Sequence, residues 1–88
     1  QVHHVVQWGH PGAAIARANL ALVGIGVNDL ENLLVTPTYM HQSGDLHTPQ
    51  YRTAVNEATS LAVAGGYKTM VATLSLIKAA ILTKGSFP

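Results

Sequence analysis

Between Ala13 and Leu34 the residues Ala13, Ala16, Leu20, Val23, Val27, Leu30 and Leu34 recur at alternating steps of three and four. Such spacing keeps them on one helical face with a period close to that of a coiled coil. Pro11 suits the first turn of a helix, where its missing N–H costs nothing. Thr36-Pro37 ends the run, because a residue before Pro avoids the α region. A helix is predicted over 11–35. A second run starts at Thr48-Pro49, an N-cap followed by Pro at the first helical position. It continues to Lys84, which suits the helix dipole, and stops at Gly85, a residue suited to a left-handed C-cap. Tyr67, Met70, Leu74, Ile77 and Ile81 form its clearest face. As one rod this helix would be on the order of 50 Å long, with Gly65-Gly66 as the point where it can kink.

Gln1 to His10 has no helical period and reads as an extended arm, while Ser43-Gly44-Asp45 marks a turn in the connecting loop. The expected architecture is a single all-α domain, a helical hairpin of two long helices. Its parts are an arm over 1–10, a helix over 11–35, a loop over 36–48, a helix over 49–84 and a tail over 85–88.

Apolar residues extend beyond those two faces. Leu61, Ala72, Leu76 and Ala79 lie off the second, and Ile15, Leu22, Ile25 and Leu33 off the first. A helix apolar around most of its girth is normally buried on most sides, and monomers rarely expose apolar patches beyond a few hundred Å². Further copies of the same chain are therefore the expected partner. The expected self-assembly interface comprises Leu20, Val23, Val27, Leu30, Leu34, Leu61, Tyr67, Met70, Leu74, Leu76, Ile77 and Ile81. Gly24, Gly26, Gly65 and Gly66 are expected to let a second backbone approach closely. Trp8 is a candidate anchor of the arm against a neighbouring copy, since Trp is favoured at interface hot spots.

Composition narrows the chemistry. Eighty-eight residues allow one small domain, and 10% charged residues is under half the usual share. The absence of Cys removes disulfides, zinc fingers and thiol catalysis. Five Lys+Arg against four Asp+Glu, dispersed along the chain, predict no nucleic-acid binding. His3, His4, His10, His41 and His47 lack metal-ligand spacing, so no metal or other cofactor is expected. No Ser has a nucleophile context, and Asp29 and Glu31 point to different faces of a helix, so no catalytic site is expected. Arg17 and Asn19 interrupt the first apolar region and Lys68 and Lys78 the second, which disfavours membrane-spanning helices. A Gln start is what proteolytic processing leaves, and equally what an incomplete chain shows.

The order of features resembles a known family. Val27-Asn28-Asp29 precedes a polar loop, Leu46-His47-Thr48-Pro49 exits it, and Leu76-Ile77-Lys78 and Ile81-Leu82 lead to Lys84 and Phe87. In this the chain resembles the type III secretion needle and inner-rod subunits, small helical hairpins whose C-terminal helix lines a hollow filament. It departs from them in Thr48, where Asp or Asn usually precedes the Pro, and in its Ala/Val/Leu-rich helices. Conjugative-type pilins are a second resemblance, as processed apolar two-helix subunits that polymerise into tubes, with bound phospholipid in some. Both imply a secreted, extracellular structural subunit of a homopolymeric filament, touching membrane only at the filament base or through bound lipid. The alternative is a small membrane-embedded hairpin that binds lipid, pigment or haem through His.

Overall fold

The first apolar run does not continue as one helix. In the computed structural model, which describes residues 2–36 and 46–88, helix α1 spans Ala14–Leu22 after a single 3-10 turn over Pro11–Ala13. Gly24 then takes φ +82°, a left-handed conformation that a residue without Cβ adopts freely. The Ile25 N–H donates to the Leu20 carbonyl at 2.9 Å and the Gly24 N–H to that of Ala21 at 3.1 Å. These two bonds form a Schellman stop, completed by the burial of both Ile25 and Leu20. Beyond it the Asp29 carboxylate accepts from the Gly26 N–H at 2.7 Å. A 3-10 turn over Leu30–Asn32 leads into strand β2, Leu33–Val35. The helix expected to run to Val35 thus ends at Leu22. Leu33-Leu34-Val35 is extended because the N-terminal arm supplies a strand for it to pair with.

That strand is β1, Val2–His4, antiparallel to β2 with Val2 opposite Val35, His3 opposite Leu34 and His4 opposite Leu33. The fold is mostly helical, as expected, but carries this small two-stranded sheet.

The second apolar run is helical throughout yet not straight. Helix α2, Pro49–Ala62, is capped by the Thr48 hydroxyl, which accepts from the Tyr51 N–H at 3.1 Å. A 3-10 turn over Val63–Gly65 joins it to helix α3, Gly66–Lys84. Gly66 sits at φ +77°, ψ −161°, a region essentially closed to residues with a Cβ. The 36 residues from Pro49 to Lys84 would span about 54 Å as one helix, whereas the longest dimension of the molecule is 35 Å. The single rod is thereby corrected to two helices. Helix α2 packs against both α1 and α3. Gly85, at φ +75°, closes α3 with an N–H bond to the Ile81 carbonyl at 2.8 Å.

All three helices, the arm and β2 contribute to one core that includes Val5, Val6, Leu20, Val55, Met70 and Leu74. The turn expected at Ser43-Gly44-Asp45, together with His41, lies outside the described residues.

Gly66→Ala would force an L-residue into that glycine-only conformation. A stability loss of about 1–3 kcal/mol is expected, measured by urea denaturation followed by far-UV circular dichroism. An unchanged midpoint would show that the bend does not depend on this residue.

Candidate functional site

The arm is held by buried polar groups. Asn32 is fully buried. Its carboxamide oxygen accepts from the Val6 N–H at 2.7 Å, and its Nδ2 donates to the carbonyls of Val6 at 3.0 Å and Val27 at 2.8 Å. The Asn32 carbonyl accepts from the Val5 N–H at 2.8 Å. From α2, the buried Tyr51 hydroxyl donates to the Val5 carbonyl at 2.7 Å. Burial pushes this phenol well above its ordinary pKa, so it remains a protonated donor. Further along the arm, Arg17 Nη1 donates to the carbonyls of Gln7 at 3.0 Å and His10 at 2.8 Å. Between these bonds Val5 and Val6 enter the core with no exposure. They seat the arm within its own chain, whereas Trp8 remains 65% exposed.

The seam between α1 and α2 is also polar. Helix α1 has no side-chain cap of its own, and an N-terminal turn leaves amide hydrogens without intrahelical partners. Asn56 of α2 supplies one, its Oδ1 accepting from the Ala16 N–H at 2.9 Å while its Nδ2 donates to the Gly12 carbonyl at 2.9 Å. One turn on, Asn19 Nδ2 donates to both Thr59 Oγ1 and Ser60 Oγ at 3.0 Å. Outside this seam a shallow groove is lined by Ile15, Asn56, Glu57, Ser60 and Leu61.

The expected interface residues divide into two sets. Leu20, Leu34, Met70, Leu74, Ile77 and Ile81 are buried in the chain's own core, so they are corrected from intermolecular to intramolecular contacts. Val23 packs partly buried against that core and Val27 is half-buried. Leu30 (82% exposed), Leu61 (83%), Leu76 (72%) and Tyr67 face outward. The four glycines expected to pack closely sit in differing surroundings within the chain. Added Cβ atoms at Gly24 and Gly66 would meet nothing within 4 Å, and at Gly26 and Gly65 they would meet the side chains of Asp29 and Thr69. Within the chain Gly24 and Gly66 serve turns through their positive φ angles.

No family model, curated protein or solved structure matches the chain.

Among the described residues no cluster of histidines with acidic side chains forms. His4 Nε2 lies 2.8 Å from Asn28 Oδ1, and His10 Nδ1 accepts from the Gly12 N–H at 2.9 Å. His47 meets the Tyr51 ring edge-on, with centroids 5.1 Å apart. Among the described residues no three His, Asp or Glu side chains are grouped to hold a metal ion. The clearest titratable contact is at the surface, where the Tyr67 hydroxyl donates to the Glu31 carboxylate. This bond holds Glu31 below the usual carboxylate range, aided by a backbone bond and by Lys78, and it raises the Tyr67 phenol.

Sequence reasoning missed Asn32, Tyr51, Arg17, Asn19 and Asn56. Asn32→Leu would strip partners from the Val6 N–H and from the carbonyls of Val6 and Val27. At about 1–3 kcal/mol for each buried group left unpaired, a loss of at least about 3 kcal/mol is expected in chemical denaturation. The Glu31–Tyr67 bond stabilises the fold above the unfolded carboxylate pKa, and that gain is lost as pH falls through the lowered folded value. A Glu31 titration followed by NMR should therefore show a depressed midpoint, returning toward the ordinary range in Tyr67→Phe.

Proposed function

We propose that the chain is a structural subunit of a homopolymeric helical filament or tube, without catalytic activity, in which copies meet through outward apolar faces. The observation that carries this reading is the exposure of large aliphatic side chains on regular helices, above all Leu61 on α2 and Leu76 on α3. By helical geometry Leu76 stands between Ala72 and Ala79 on the side of α3 away from Met70, Leu74, Ile77 and Ile81. Leu61 instead borders the groove shared with Ile15 of α1. A patch that joins its own counterpart closes a two-fold dimer. Joining one patch to a different one, head to tail, adds copies without limit when the rotation does not close. Two unlike apolar faces on one small chain suit the second mode. Each Leu withdrawn from water contributes roughly 1.5–3 kcal/mol.

The likeness to needle subunits and pilins rests on sequence pattern. The helical hairpin it implies gives way here to three shorter helices and a paired arm, so the filament reading rests on the exposed faces. A second reading, with α3 against a membrane, draws on the span Pro49–Lys84, which holds an 18-residue window apolar enough to cross a bilayer with 22% of it buried. Length and composition alone support it.

Sedimentation velocity across a concentration series, with negative-stain images of the same samples, tests the proposal. Leu61→Asp and Leu76→Asp are expected to fold normally and abolish association. Leu74→Asp is expected to unfold the chain by burying an unpaired carboxylate. A well-folded single copy at high concentration, without detergent, would refute the assembly reading, and co-flotation with lipid vesicles would then favour the second.

A further inference from the structure

We infer that the arm is exchanged between copies, so that residues 2–8 of one chain dock against β2, Asn32 and Tyr51 of another. This rests on the self-association proposed above and specifies how the copies are linked. The groups that hold the arm lie far from it along the chain. They are the β2 edge, the Asn32 carboxamide and carbonyl, 26 residues or so away, and the Tyr51 hydroxyl, 46 residues away. A second copy offers the same groups in the same geometry. Every one of these bonds, and the seats of Val5 and Val6, can be remade between chains with nothing lost, which makes exchange of a terminal element a low-cost route to association.

The link between arm and body favours such a transfer. Among the described residues, Gln7, Trp8 and Gly9 make no backbone–backbone hydrogen bond. Gly9 turns the chain at φ +83°, with nothing within 4 Å of where a Cβ would stand. The closed turn is held from one side, by Arg17 reaching the Gln7 and His10 carbonyls. In the closed turn Gln7 Oε1 is buried without a hydrogen-bond partner. Once arms link two copies, Leu61 and Leu76 meet at a raised local concentration.

The chain has no Cys, so introduced thiols report where the arm lies. Val2 and Val35 are register partners, both exposed. The single variants Val2→Cys and Val35→Cys would be refolded together at a concentration where the protein associates, then mildly oxidised. Exchange predicts a mixed Val2→Cys/Val35→Cys disulfide dimer on a non-reducing denaturing gel. Its yield should exceed several-fold that of a control pair, Val2→Cys with Leu22→Cys, another exposed position. In the Val2→Cys variant a closed arm holds the introduced thiol against its own Val35, so a yield no higher than the control overturns the inference. In the double variant, exchange gives a ladder of linked chains and a closed arm gives only internally bridged single chains. Sedimentation of the unsubstituted protein in the same buffer separates the two levels. Association without mixed dimers ends arm exchange and leaves the assembly reading standing, whereas a single sedimenting copy ends both.

Discussion

The carboxamide of Asn32 is wholly out of solvent and uses its oxygen and both of its amide hydrogens on main-chain groups. Those groups belong to the arm, at Val6, and to the turn that follows α1, at Val27. A two-stranded ribbon this short is marginal in water by itself, so β1 and β2 cannot hold the arm alone. The amide does so by binding both the N–H and the carbonyl of Val6. Val5 and Val6 are then delivered into the core, and the Tyr51 hydroxyl finds the Val5 carbonyl. Apolar packing tolerates sliding, whereas a satisfied buried amide fits one register only.

How much of this was legible in the sequence depended on how local the deciding chemistry is. The Thr48-Pro49 start and the Gly85 stop could be read because a cap is decided within a few residues. The break at Gly65-Gly66 was legible for the same reason. Helix 11–35 was overextended because Val27, Leu30 and Leu34 happen to fall on a helical period. The competing instruction at Gly24 needed its left-handed φ to be seen, and the partner of Leu33–Val35 lies at the far N-terminal end, in the arm. The apolar faces were identified correctly as faces, but which of their residues the chain itself covers was not. Leu20, Met70, Leu74 and Ile77 are covered by the arm and the other helices of the same chain, which a hairpin of two rods does not provide. Asn32, one amide among aliphatic neighbours, gave no sign of its role, since its bonds exist only once distant segments meet.

The chain's own fold therefore covers part of its apolar surface and leaves part outside. Most residues of the regular helical faces are consumed in folding, Leu30 and Tyr67 excepted, and large aliphatic groups such as Leu61 and Leu76 are left on the surface. The side chains that fasten the arm and the α1–α2 seam are nearly all uncharged, and Arg17 spends its charge on carbonyl oxygens.

That neutral fastening has a consequence for the solvent the protein can work in. Asn19, Asn32, Asn56, Tyr51 and Thr59 bond as dipoles, and mobile ions that weaken exposed ion pairs have little hold on them. Strongly hydrated salts also tighten aliphatic burial. The bonds that fasten this fold therefore depend little on ionic strength, while its aliphatic core gains from such salts.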